Sequence, residues 1–227
     1  AQEAGKLVRY KVTATNNDGT QSKPGGSDTI NYQGYVVQDP PVTSQLPIFQ
    51  WFIDDSEYTA MLADRDEPLP WQSPTNYECV IAYGNTVIDN AGVHVYGQGS
   101  RQDEKANLAV DLPKGYKIQV PGKMDRAVDE FHLDNNMQSV SPVSSELSWK
   151  LAEIAGIDTV QNFTSQVRRN GSFHGLFTFT EEHDKTWRET YGYEGKGIFY
   201  KDSTYPRDML PTDGTDPDYS VIIAYQA

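Results

Sequence analysis

Arg168-Arg169-Asn170-Gly171-Ser172-Phe173-His174-Gly175-Leu176-Phe177-Thr178-Phe179-Thr180-Glu181-Glu182-His183-Asp184 is the stretch on which the fold turns. Asn-Gly between two extended runs is the strongest short hairpin signal, because both residues accept the positive φ of a tight type I′ turn. The runs are Asn162 to Arg169 and Ser172 to Thr180. Strand alternation then places Phe173, Gly175, Phe177, Phe179 and Glu181 on one face. An apolar face thus carries Glu181 inward. The alternative for Glu181-Glu182-His183-Asp184 is a charged strand end that caps a following helix around Trp187 and Tyr191.

Outward from the hairpin, the chain reads as further strands and one long helix. Ser141 is a good N-cap, Pro142 suits the first helical position, and Val143, Leu147, Leu151 and Ile154 fall on one apolar face. Gly156 supplies the C-cap, so a helix is predicted from about Ser141 to Ala155 with Val143, Leu147 and Leu151 buried. Cys79 to Tyr83, Thr86 to Ile88 and Val93 to Tyr96 are separated by Gly84-Asn85 and Asp89-Asn90, the pattern of a meander, and Lys117 to Val120 adds a strand. Leu7 to Thr15 is a strand ending at Asn16-Asn17-Asp18-Gly19. Residues 20–47, rich in Pro, Gly, Ser and Gln, read as a linker with a short strand at Tyr35-Val36-Val37. Asp54-Asp55-Ser56 caps a short helix through Glu57 to Ala63, beyond which Pro68, Pro70 and Pro74 forbid regular structure. The predicted fold class is α+β, a mainly antiparallel sheet with one long helix.

Composition narrows the function classes. The chain has 227 residues, enough for one large or two small cores. Its net charge of -13 repels phosphate backbones and anionic lipid, which argues against nucleic acid as a partner. No apolar run reaches the roughly 18 residues of a membrane helix. The single Cys79 lies in an apolar run and reads as a small buried hydrophobe. His94, His132, His174 and His183 lack metal-ligand spacing with one another or with Cys79, which argues against a zinc site. Asp213-Gly214-Thr215-Asp216-Pro217-Asp218 supplies carboxylates that calcium would accept, without the order or distal Glu of a calcium hand, and reads as a solvated loop. Adjacent carboxylates such as Asp54-Asp55 point to opposite faces of a strand and cannot bracket a glycosidic bond.

Several stretches together resemble the CotH family, the spore-coat protein kinases and their relatives in bacterial surface proteins. Val93-His94-Val95-Tyr96-Gly97-Gln98-Gly99-Ser100-Arg101 is similar to the family's Arg-Gly-Asn-Ser-Ser-Arg strand and loop, with agreement at Gly97, Ser100 and Arg101. Lys105 falls at the first lysine of a Lys-Lys-Ser-Tyr motif. Asn170-Gly171 through Glu181 resembles an Asn-Gly-x-x-x-Gly-x-Tyr-x-x-x-Glu hairpin, Asp184 matches the Asp after it, and Gly197 to Lys201 looks like Gly-x-Leu-Tyr-Lys. The resemblance spans residues 46 to 201 and implies the smaller lobe of an atypical kinase fold over residues 46–227. Residues 1–38 resemble the tail of a preceding β-sandwich module and a linker.

The resemblance implies ATP and magnesium as cofactors of the intact parent and a protein as phosphate acceptor. It makes Lys105 and Glu181 an ion pair that fixes a cation against the phosphates. Gly97, Gly99 and Ser100 would offer loop amides to phosphate oxygens, and Arg101 a bidentate contact. Departures accompany the match. Tyr96 stands for the family's Arg, Gln98 for Asn, Ala106-Asn107-Leu108 for Lys-Ser-Tyr, and Ser139 and Ser144 for an Asp and an Arg near the long helix. The family's catalytic and metal-binding aspartates belong to Asn-x-Asp and Trp-Asp-x-Asp segments that have no counterpart before Ala227. Catalytic residues are therefore expected in other domains of a larger parent, extracellular or at the cell surface, with the cytoplasm and spore coat as alternatives. A non-catalytic binding or structural module is the other functional class left open.

Overall fold

Seventeen short elements are described by the computed structural model, which covers residues 3–23, 31–37, 42–65, 75–97, 100–137, 141–193, 199–201 and 205–207. In chain order the first unit, Ala1–Glu182, contains β1 (Leu7–Tyr10), β2 (Val12–Asn16), β3 (Gly19–Lys23), β4 (Asn31–Val36), β5 (Ile48–Phe52) and α1 (Asp55–Arg65). It continues with β6 (Tyr77–Tyr83), β7 (Thr86–Val95), a 3-10 turn at Ser100–Gln102, β8 (Leu108–Asp111), β9 (Glu130–Asp134), α2 (Ser144–Ile154), β10 (Asn162–Arg169) and β11 (Ser172–Glu181). The second unit, His183–Ala227, contains α3 (Lys185–Thr190) and the antiparallel pair β12 (Phe199–Lys201) and β13 (Tyr205–Arg207).

The sheet closes on itself. Strands run β7-β6-β5-β10-β11-β9-β8, and β8 pairs back onto β7 through Gly92 to Val95, making a seven-stranded barrel. Only β5 and β10 pair in parallel, Gln166 facing Ile48 and Arg169 facing Trp51; the other pairings of the ring are antiparallel. β4 joins the first half of β7, and β1 joins β4, so residues expected to belong to a preceding module hydrogen-bond into the barrel sheet. Hairpin β2–β3 stands apart as a two-stranded ribbon with a Thr13–Ser22 and a Thr15–Thr20 hydroxyl pair across it.

Alternation explains the barrel's filling. Phe49, Trp51, Ile81, Val93, Leu108, Phe131, Leu133, Phe163, Phe177 and Phe179 all lie inside. Phe179 stacks on Phe163 at 4.6 Å, on Phe131 at 4.8 Å and on Phe49 at 5.7 Å between ring centroids. Each ring removed from water contributes about 1.5 to 3 kcal/mol, so this cluster dominates the core. Asn170 and Gly171 turn the central hairpin with φ of 48° and 83°. A Cβ at Gly171 would stand 2.3 Å from the Cα of Gly5, so a side chain there is excluded by space as well as by φ.

The α+β fold class with one long helix is corrected by these observations: the chain is mostly β. Among the described residues its α-helices are three short segments of 11, 11 and 6 residues. α2 begins a turn later than Ser141, with Val143 at the N-cap and no side-chain capping bond. Val143, Leu147 and Leu151, expected to be buried, are 51%, 59% and 58% exposed. The helix meets the barrel instead through Glu146, whose carboxylate accepts from the amide and hydroxyl of Thr164, and through Ser145, which accepts from Asn162. Its stripe of aliphatic side chains therefore adds nothing to the core, and the strands carry it.

Other boundaries moved for local reasons. β7 runs through Asp89-Asn90 without turning, because Asn90 takes a φ of 55° and the β6–β7 register slips between Cys79 and Ile81. Lys117 to Val120 makes only an isolated bridge from Ile118 to Val128. A register slip at Val167/Arg168 breaks the expected alternation of the hairpin, and Phe173 is 60% exposed while Phe177 and Phe179 are fully buried.

Candidate functional site

The inward face of β11 ends in ionisable contacts on both sides. Phe177, Phe179 and Glu181 form its buried column, and a different cation meets each end. At the far end Arg126 grips Glu181 with two bonds, Nε donating to Oε1 at 2.8 Å and Nη2 to Oε2. The backbone N–H of Gln161 donates to Glu181 Oε2 at 3.0 Å. The Gln161 side chain completes the clasp: its Oε1 accepts from the amides of Asp125 and Arg126, and its Nε2 donates to the Arg126 carbonyl. Glu181 is 1% exposed, and the bidentate Arg126 pair together with the Gln161 amide offsets the cost of burying its carboxylate.

Lys105 occupies the opposite end. Its Nζ donates to the Leu176 carbonyl at 2.6 Å and sits 4.5 Å from the centroid of the Phe177 ring. Gly175 makes room for it, since a Cβ there would stand 3.0 Å from Lys105 Cδ. Partial burial, which disfavours the charged form, lowers the Lys105 pKa from its ordinary 10.5. Beside it His174 stacks on Phe177 at 5.6 Å and meets Trp51 edge-on at 5.5 Å. Burial, then the positive charges of Arg169 and Lys105, push the His174 pKa down to about 4. Arg169 itself lies 3.9 Å over the Tyr58 ring and donates to Asp55 at 2.9 Å.

The two residues expected to pair are therefore apart in this structure. Four residues of strand, about 13 Å, separate Phe177 from Glu181. Arg126 takes the place foreseen for Lys105, and Lys105 makes contact with a carbonyl and a ring. Arg126 was missed because Met124-Asp125-Arg126 reads as a solvated charged turn; only the fold brings it against β11.

The loop between β7 and β8 carries the other expected residues. Gly97 has a φ of 94°, a conformation that favours glycine. Ser100 opens the 3-10 turn; its Oγ accepts from Asn107 Nδ2 at 2.8 Å. Arg101 lies in the same turn, and its side chain, like Gly99 as a whole, falls outside the described residues. Sequence reasoning also missed Asn107 and Asn135, 7% and 4% exposed, which hold this loop against the barrel. A buried Asn has no periodicity to reveal it. Tyr96, which stands for an Arg in the motif, stacks on His132 at 4.1 Å and donates to Asp134, so it is absorbed by the outer face of the barrel. His132 meets Glu182 there at 2.6 Å. Asp184 caps α3 in the second unit by accepting from the Trp187 amide at 2.8 Å.

The family model for the CotH kinase protein matches residues 93–225, more than half of the chain. The chain belongs to the CotH family. The match begins at β7 and includes the Lys105 loop and the whole central hairpin, and it extends past the residue 201 limit of the motif resemblance. No curated protein matches this CotH-family chain. Among the described residues no three His, Cys, Asp or Glu side chains converge as a metal-sized group, and no helix is long and apolar enough to cross a membrane.

Proposed function

We propose that this CotH-family chain supplies the nucleotide-contacting part of a protein kinase, with Lys105 as the residue that meets the phosphates and a protein hydroxyl as the acceptor. One observation carries the reading. Among the described residues the half-buried Lys105 ammonium donates to a single carbonyl and faces no carboxylate, so two of its three N–H donors remain for an anion. Phosphoryl transfer needs such cations, since its charge is spread over the phosphate oxygens. The adjoining Gly97 turn suits close backbone approach to phosphate. ATP with magnesium is the cofactor in this reading, and magnesium would supply Lewis-acid neutralisation of the phosphate charge. Residues that would ligate the metal are not assigned within the described chain.

Arg126 and Glu181 act structurally in this scheme, as a latch at the far end of β11. Calorimetric titration with ATP and magnesium tests the reading. The expected result is weak magnesium-dependent binding, with a Kd on the order of 1 mM, because one lysine and a few amides leave most of the nucleotide in water. Lys105→Ala should abolish it. Binding unchanged by that substitution, or none at several-fold higher concentrations in the wild type, would overturn the reading.

A further inference from the structure

We propose that Asn135 is the positioning residue of the Lys105 loop, holding the ammonium at its seat against β11. The inference rests on the reading of Lys105 as the phosphate contact and adds the residue that fixes its place. Asn135 follows β9 and is 4% exposed. Its Nδ2 donates to the Lys105 carbonyl at 2.6 Å, to Asp103 Oδ2 at 3.1 Å and to the Ser100 carbonyl at 3.3 Å. Three acceptors from one six-residue loop thus converge on a single amide nitrogen. The shortest of the bonds is to Lys105's own backbone.

The orientation of that carboxamide is itself fixed. Asn135 Oδ1 accepts from the Met137 amide at 2.8 Å, and the Asn135 N–H donates to Asn107 Oδ1 at 2.7 Å. A flipped carboxamide would aim an oxygen at three acceptors and a nitrogen at an N–H donor, so only one orientation satisfies the neighbours. Asn107 extends the grip to the start of the loop through the Ser100 hydroxyl. A lysine stem has four rotatable bonds, and its Nζ stays in one place only where the backbone beneath it is held. Asn135 supplies that hold for Lys105 from a different strand end. No other described side chain bonds the Lys105 carbonyl, and Leu176 and Phe177 engage only the far end of the stem.

Asn135→Asp tests this in the full chain. The change keeps the shape and the Oδ1 bond but replaces the donating nitrogen with an oxygen that repels all three acceptors, Asp103 most strongly. The primary readout needs no nucleotide: the pH profile of Lys105 acylation by an amine-selective reagent, mapped by peptide mass spectrometry, with exposed Lys6 and Lys150 as internal references. The groups that face Lys105 are the Leu176 carbonyl, the Phe177 ring and, at longer range, His174, whose pKa is pushed down to about 4, far below the range in which lysines are read. Wild-type Lys105 should reach half-maximal reactivity at lower pH than Lys6. In Asn135→Asp the two profiles should coincide, and ATP–magnesium binding should weaken at least tenfold. Should Asn135→Asp fail to fold, Asp103→Ala, which removes one of the three acceptors, should move the Lys105 profile part of the way. A Lys105 profile unmoved in the folded variant overturns the proposal. A profile that moves while neither protein binds ATP sustains the positioning role and removes the nucleotide reading instead.

Discussion

Removing Arg126 takes the bidentate cation from the buried Glu181 carboxylate, so Arg126→Ala should cost about 3 to 5 kcal/mol in a urea titration. A loss under about 1 kcal/mol would mean that water reaches the pair. His174 responds to pH. Its folded pKa of about 4 lies below the ordinary 6.5, so the unfolded chain binds more protons between those values and stability rises with pH there. The contribution is fully present above pH 6.5 and is lost as pH falls toward 4. A urea midpoint measured across that window should decline on acidification, and His174→Gln should flatten the decline. At this scale the sequence was legible where alternation acts: it placed Glu181 inward on the strand that the structure shows. It could not name the partner of Glu181, because Arg126 lies 55 residues away and pairing across a barrel leaves no mark in local spacing. Lys105 was picked out by its motif alone, and its carbonyl and ring contacts follow from a loop whose anchors, Asn107 and Asn135, have no sequence signature.

Among the elements, the hairpin and α2 teach opposite lessons. Asn170-Gly171 dictates its turn from within, through two positive φ angles, so β10 and β11 could be read almost to the residue. The apolar stripe of α2 is a true periodicity, yet periodicity states only which residues share a face and not what that face meets. Glu146 bonds to Thr164 and turns the other face to the barrel. Leu147→Ala should consequently change stability by less than about 1 kcal/mol, against the roughly 3 to 5 kcal/mol expected for Phe163→Ala in the stacked core. Paired denaturant melts of the two variants check this; equal losses would put α2's stripe in the core after all.

At the scale of the whole first unit, Ala1–Glu182, seven strands form a ring, and its closure depends on chain segments that are distant in sequence. The strand content of the central region was readable; that the sheet closes was not, because closure is decided by β8 returning to β7 and β10 lying parallel to β5. Folding dominated by such pairings is slow, and stopped-flow refolding of Ala1–Glu182 should fall in the millisecond-to-second range, with microsecond refolding excluding the barrel. The same arrangement bears on synthesis. Phe52, the last residue of β5, leaves the ribosome 110 residues before Asn162, the first of β10. At about 5 to 20 residues per second, Ile48-Phe49-Gln50-Trp51-Phe52 waits on the order of 6 to 20 s for its parallel neighbour. During that interval a nascent chain carries an aromatic strand with one side unpaired, so holdase chaperones should crosslink to stalled chains ending near residue 155 and release those long enough for β10 and β11 to clear the ribosome.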